Sequence, residues 1–414
     1  MTERQRLRIL VLAQNFPPEV SAGASRFYEL ARNWVQAGHA VTVVTCAPNH
    51  PTGIVYKGYK NALWQRETID GIAVIRLWTY LAPNKGLVRR SAAFISYFVS
   101  AIFAAPFLPK ADVLVSTSPQ FLCGFAGYPV SRLRRLPWAL DIRDLWPDSI
   151  VAVGAMRPGA ATRFLQVLER FAYRKATHVV GASEAFVPHF LACGIAPEKI
   201  STVTNGVDLA RFAEPSGAAE FRAAHGLEGK FVASYIGTHG MAHQLETILQ
   251  AADRLRHRPD IAFLMVGDGA EREKLLAMHR DMKLDNVLML PLTPREQIPA
   301  IWDASDAALV TLRPSPLFDL VIPSKMFEAM AMRRPIILGV QGIAAHIVED
   351  GACGLTFSPG DAAALVEKVT TLADDPALRH RLGENGRQLV ASRYDRQKLA
   401  AEYLAALQAM VPKR

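Results

Sequence analysis

The segment Val321 to Gly339, VIPSKMFEAMAMRRPIILG, gathers residue types suited to a phosphorylated ligand. Pro323 and Ser324 open a helix. Ser324 is expected to cap its first-turn amides, and the free N–H groups there favour an anion such as a diphosphate. Lys325 adds a positive charge. Glu328 falls about one turn further on, where a carboxylate can accept hydrogen bonds from two vicinal ribose hydroxyls. Capping by Ser324 and helix-dipole complementation by Glu328 would account for the same residues without a ligand. A second constellation, WALDIRDLWPDS, puts Arg143 and Asp144 at the C-terminal end of a strand, where ligands of doubly wound sheets bind. Arg143 suits a phosphate or a sugar; Asp144 suits a sugar hydroxyl or the orientation of Arg143. The competing reading is an ion-pair cluster in which Asp141 partners Arg143. In the loop CAPNHPTG, Asn49 and His50 offer an acceptor contact, although turn chemistry alone also explains Asn and Pro there.

These residues need elements to position them, and the sequence supplies a repeating pattern. RILVLAQ, HAVTVVTC, IAVIRLW, DVLVSTS, WALDIRD and THVVGAS are short β-branched runs, the first two separated by a helix from about Ser25 to Ala37 that stops at Gly38. The pattern restarts with FVASYIGT, IAFLMVGDG, NVLMLP, AALVTLRP and RPIILGV, separated by HQLETILQAADRLR, EREKLLAMHRDM, REQIPAIWDAS and SKMFEAMAM. Alternating βα units imply an α/β fold with two Rossmann-like, doubly wound parallel sheets in tandem. At ~100–200 residues per domain, 414 residues fit two. Asn205-Gly206 is a turn signal between the sets, placing the domains at 1–204 and 205–390 with a terminal segment 391–414. The nicotinamide fingerprint GxGxxG is absent after the first strand, and no Walker GxxxxGK[ST] occurs, so two common uses of such sheets are excluded.

Composition narrows the partners. The four cysteines are widely separated, without metal-ligand spacing, which suits a reducing cytoplasm. The N-terminus has no signal-peptide h-region and reads as a first strand. The net charge of +9 calls for an anionic partner. The excess is local: Lys57, Lys60, Arg66, Arg76, Lys85, Arg89 and Arg90 stand against only Glu67 and Asp70. This favours an anionic membrane or substrate over nucleic acid. The uncharged stretch Ser91 to Pro109 follows, long enough to span a bilayer, but the strand ADVLVSTS comes at once after it and a sheet cannot be split across a membrane. Two readings stay open: a buried or partner-facing helix, and a helix lying in the membrane interface with basic flanks.

The segment around Glu328 resembles the donor-binding motif of the family 4 retaining glycosyltransferases of GT-B fold, in which an acidic residue precedes A-M-A and then x-x-x-P-I/V. Other segments match in order: RILVLAQNFPPEVSAGASRF resembles the first strand and its glycine-containing loop, TNGVDLARF the entry to the second domain, SYIGTHG and MVGDGAEREKL its first two units, and HIVEDGACGLTFSPGDAAAL the loop and helix after the site. Within that family the chain resembles the WbuB-like and WcaI-like transferases of O-antigen and exopolysaccharide assembly. The resemblance implies two domains facing across a cleft and a last helix, roughly Tyr394 to Met410, returning to the first domain. It also implies a sugar moved with retention from a nucleoside diphosphate donor, UDP by preference, to a lipid-linked or saccharide acceptor. No metal and no cofactor are expected, with the enzyme cytoplasmic and peripheral to the membrane. Donor-binding positions implied are Gly23, Arg26, Gly237, Thr238, His239, Pro291, Ser324, Lys325 and Glu328. Two departures matter. The family's usual glutamate eight residues before Glu328 is Leu320, and its phosphate-binding Arg/Lys pair is replaced by THGMAHQLE. Thr238, His239 and backbone amides are expected to substitute, with Lys325 and Arg26 as counter-charges; His243 either contributes or is only solvated. An epimerase of the same fold and a non-catalytic nucleotide-sugar-binding subunit are the alternatives.

Overall fold

The computed structural model describes residues 6–19, 22–83, 87–118, 120–152, 156–212 and 217–412; Lys85 of the basic run lies outside them. The chain divides into two compact units, one of Met1–Asn205 with Arg396–Arg414 and the other of Gly206–Asp395.

The first unit is built on eight strands: β1 (Arg8–Leu12), β2 (Ala40–Cys46), β3 (Trp64–Ile69), β4 (Ile72–Leu77), β5 (Val113–Thr117), β6 (Trp138–Ile142), β7 (His178–Gly181) and β8 (Ile200–Thr202). Their order across the sheet is β3-β4-β2-β1-β5-β6-β7-β8. All neighbours are parallel except β3 and β4, an antiparallel hairpin on one edge. Central strands are covered on both faces, which is why they read as mainly apolar runs: β5 and β6 are buried at every residue. The helix Ala22–Gln36 stops at Gly38, whose positive φ of 89° an L side chain resists. The helix Arg396–Met410 belongs to this unit. It adds Leu399, Tyr403, Leu404 and Leu407 to the core, the Trp34 indole donates to the Ala400 carbonyl at 2.9 Å, and Arg396 pairs with Glu29 at 2.9 Å.

The second unit carries six parallel strands, β9 (Phe231–Ile236), β10 (Ile261–Val266), β11 (Val287–Leu290), β12 (Ala307–Thr311), β13 (Ile336–Gly339) and β14 (Gly354–Thr356), in the order β11-β10-β9-β12-β13-β14. β9 and β10 are buried throughout. Their C-terminal ends, followed by the loops after Ile236 and Val266, lie side by side because the two strands run parallel in register, Val266 opposite Ile236.

Candidate functional site

In the second unit the loops after β9 and β10 are laced together through their backbones. Gly237 N–H donates to Val266 O at 2.9 Å, His239 N–H to Asp268 O at 2.9 Å, and Glu271 N–H to His239 O at 2.9 Å. Glycine is required for this approach: a Cβ on Gly267 would lie 1.8 Å from Gly237 O, and one on Gly269 2.5 Å from His239 O. Arg272 closes the arrangement from the following helix, donating to Gly267 O at 2.6 Å and Leu290 O at 3.0 Å.

Beneath the laced loops stands Tyr235, the penultimate residue of β9, its hydroxyl donating to Thr238 O at 2.7 Å. Lys325, the first residue of the short helix Lys325–Ala331, lays Nζ over the Tyr235 ring 3.4 Å from its centroid. The His239 and His243 rings flank the same tyrosine, with centroids 5.9 and 6.0 Å away. Lys325 Nζ, both ring nitrogens of His239 and Nδ1 of His243 are buried without a hydrogen-bond partner. Native interiors rarely tolerate such a cluster, because each unpartnered group costs about 1–3 kcal/mol. Electrostatics agree with the geometry. Burial holds the Lys325 ammonium well below its usual range, with the Glu328 carboxylate pulling the other way. Burial, then Arg272 and Lys325, lower His239 to about 4; burial and then Lys325 lower His243 to about 3. A group of nitrogens crowded with positive charge is matched chemically by an anion bearing several acceptor oxygens.

Glu328 is half-buried and accepts from the buried Trp302 indole at 3.4 Å. That indole is a neighbour the sequence reading missed. Thr238 is exposed at the loop tip, and Pro291 is exposed at the end of β11. Ser324 departs from expectation. It is already helical (φ −61°, ψ −25°) and its side chain makes no capping bond. The amides of Met326 and Phe327 are bonded to Pro323 O and Ser324 O, at 3.1 and 3.2 Å, so they are not free for an anion as expected. Leu320 closes a 3-10 turn Phe318–Leu320. Its neighbour Asp319, also missed, carries a carboxyl raised by burial. Among the described residues no three His, Cys, Asp or Glu side chains gather where they could hold a metal ion.

In the first unit the structure corrects several expectations. Arg26 is no spare counter-charge: it is 2% exposed. It donates to Val203 O at 2.7 Å, Thr204 O at 2.9 Å, Asn205 Oδ1 at 3.1 Å and Asp141 Oδ2 at 3.1 Å. Asp141 is thereby bonded to Arg26, and to the Thr117 hydroxyl at 3.1 Å, rather than to Arg143. Gly23 lies in the first turn of the helix Ala22–Gln36, not in a loop. Arg143 and Asp144 are half-buried just beyond β6, the Arg143 amide donating to Ser118 Oγ at 2.9 Å while Nε has no partner. Desolvation raises the Asp144 carboxyl and lowers the Arg143 guanidinium, each opposed by the charge of the other. Asn49 turns its amide onto its own loop, at Ala47 O, 2.8 Å, as turn chemistry predicts. The carboxylate of Glu19, buried and unremarked in the sequence, accepts the amides of Asn49 and His50 at 2.8 and 2.9 Å. Burial and then Arg90 lower His50, leaving its ring neutral near pH 7.

Residues 218–389 match the glycosyl transferases group 1 and residues 21–206 the glycosyl transferase 4-like domain. The chain belongs to this glycosyltransferase family. The glycosyltransferase is 26% identical to WcaI of Escherichia coli K12, described as a colanic acid biosynthesis glycosyl transferase, over 79% of this chain and 81% of WcaI. It is 30% identical to TuaH of Bacillus subtilis, a teichuronic acid biosynthesis glycosyltransferase by its description, over 48% of this chain and 49% of TuaH. In fold it resembles Anabaena HepE, solved in complex with UDP and glucose, with a TM-score of 0.74 at 18% identity, covering 98% of this chain and 100% of HepE. The fold of the glycosyltransferase is GT-B, with two Rossmann-like parallel-sheet units.

Proposed function

We propose that this glycosyltransferase takes a UDP-linked sugar as donor and transfers the sugar, with retention of anomeric configuration and without a divalent cation, to a lipid-linked or saccharide acceptor in cell-surface polysaccharide assembly. The observation that carries the donor reading is the cluster of buried, unpartnered nitrogens on Lys325, His239 and His243 under the Gly237 loop. The diphosphate supplies acceptors for the Lys325 ammonium and for the one N–H that the neutral His239 ring carries. The flexible stem of Lys325 lets its ammonium swing from the Tyr235 face to a phosphate oxygen, and the exposed loop at Thr238 adds backbone amides. Glu328, steadied by Trp302, takes the ribose hydroxyls. UDP in the HepE structure and the polysaccharide roles described for WcaI and TuaH support the substrate class and the WcaI-like subgroup.

In the transfer, the bond between the sugar C1 and the β-phosphate oxygen breaks with its electron pair going to the diphosphate. The acceptor hydroxyl forms the new C1–O bond from the same face, and its proton passes to the departing phosphate oxygen. Fixed positive charge at the diphosphate lowers the barrier to its departure, because such charge acts most strongly where water is excluded. Arg143 and Asp144 serve the transferred sugar in this reading, and His50 the acceptor.

Titration calorimetry with UDP in EDTA and again in Mg²⁺ tests the donor site: equal affinity is expected, and affinity that collapses on chelation refutes metal-free binding. The anomeric configuration of the product, read by NMR, tests retention, and inversion overturns it.

A further inference from the structure

The helix Leu87–Ala104, continued by a 3-10 turn Ala105–Phe107, separates β4 from β5 of one sheet. The window Arg89–Phe107 is long and apolar enough to cross a membrane, yet only 28% of it is buried. Its two sides differ. Tyr97, Ala101, Ala104, Ala105 and Leu108 are buried, and Tyr97 donates its hydroxyl to Val44 O of β2 at 2.8 Å. Ile95, Val99, Phe103 and Phe107 are exposed at 52%, 41%, 75% and 74%. They recur every fourth residue, so they form one stripe along the helix, ~18 Å long at 1.5 Å per residue.

Exposed aromatics stand beside that stripe. Trp78 and Tyr80 follow β4, and they are tied to the helix where Ser100 Oγ donates to Trp78 O at 2.7 Å and Tyr80 N–H to Ser96 Oγ at 2.8 Å. The uncharged stretch is bracketed by bases, Arg89 and Arg90 at one end and Lys110 at the other, all exposed. Solitary exposed apolar residues are ordinary, but an aligned row of four beside a Trp and a Tyr is a patch of the kind that marks a docking face.

We propose that this face lies in the interface of an anionic phospholipid bilayer, with the stripe in the acyl boundary and Trp78 and Tyr80 at headgroup level. The observations choose this occupant. Cations at both ends of an apolar row complement a surface with negative headgroups over hydrocarbon, and Trp and Tyr are the residues whose half-polar rings settle at that boundary. A transmembrane course is excluded by the helix's own anchoring. Leaving the unit would break the bonds to Val44, Trp78 and Tyr80 and strip Tyr97 and Leu108 from the core, while β4 and β5 on either side remain in one sheet. The inference is independent of the donor site, which lies in the other unit.

The test uses the full chain with sedimented vesicles of phosphatidylcholine alone and of phosphatidylcholine mixed with phosphatidylglycerol. Wild type is expected to bind the mixed vesicles and not the neutral ones, more weakly as salt rises, with tryptophan emission quenched by brominated lipid. Phe103→Glu and Phe107→Glu should each weaken binding at least ~tenfold, since an inserted aromatic is replaced by a charge. Arg89→Glu with Arg90→Glu should weaken it by a similar factor. Melting temperatures and UDP affinity of these variants should stay at wild-type values, which separates failure here from failure of the donor reading. Absence of wild-type binding to the mixed vesicles, or binding indifferent to Phe103→Glu and Phe107→Glu, overturns the proposal. So does a stable dimer in analytical ultracentrifugation that Phe103→Glu dissociates, because a second copy would then be the occupant.

Discussion

Replacing Lys325 with methionine should make the ligand-free protein more stable and a poorer donor binder, two effects of opposite sign from one substitution. Lys325 Nζ is buried with no hydrogen-bond partner, and such a group costs about 1–3 kcal/mol. The Tyr235 face, 3.4 Å from Nζ, returns about 1 kcal/mol of that as a cation–π contact. A net burden of about 1 kcal/mol remains. Methionine fills the same channel with a flexible apolar chain, so Lys325→Met relieves that burden. For a unit of this size the melting temperature should rise by about 2–4 °C. When UDP binds, the lost interaction is a charge-assisted hydrogen bond worth about 1.5–3 kcal/mol, or a fall in affinity of about 10- to 150-fold. Uridine, which has no phosphate, should bind as before. Calorimetric titration with UDP and with uridine, beside melting curves of the free protein, gives all three quantities. A lowered melting temperature with unchanged UDP affinity would make Lys325 a structural residue and refute the reasoning.

Glu328→Ala should weaken UDP and uridine alike by at least ~tenfold, because its partner is the ribose; titration of both ligands checks this, and unaltered uridine affinity counts against the ribose assignment. Arg26→Ala should destabilise the protein by about 3–5 kcal/mol in urea unfolding by stranding buried Asp141, while leaving the UDP affinity of the folded protein unchanged; a selective loss of UDP binding would restore Arg26 as a phosphate counter-charge. The histidines predict an acid-sensitive fold. His239 and His243 sit at about 4 and about 3 in the folded chain, against ~6.5 when unfolded. The unfolded state therefore takes up protons first, and stability should fall as pH drops from ~6.5 towards ~4, levelling only below the folded values. The double variant His239→Gln, His243→Gln should flatten melting temperature against pH over that window, and an unchanged slope would contradict it.

The apolar runs by themselves determined most of both sheets, because a strand covered on two faces must be mainly apolar, whatever surrounds it. The strands that escaped notice lack that signature. WQRETI in β3 is a polar edge strand alternating between half-buried and exposed, while β8 and β14 span only three residues each. The pairing of Lys325 with Glu328 was legible for a similar reason: both sit within one turn of a helix, so their proximity is a local property.

What tertiary structure decided was the fate of the charges. Arg26 reads equally well as a phosphate ligand until the chain brings Asp141 and residues 203–205, more than a hundred positions away, onto its guanidinium. Ser324 reads as a cap until its own backbone is helical. His239 reads as a substitute phosphate ligand, but that it is buried is decided only by the Gly267–Gly269 backbone packed against it. Spacing along a chain specifies which side chains share a strand or a turn. Whether a buried polar atom finds a partner depends on elements distant in sequence, and here that decided that the terminal nitrogens of Arg26 are bonded within the protein while Lys325 Nζ, both His239 ring nitrogens and His243 Nδ1 are left without partners.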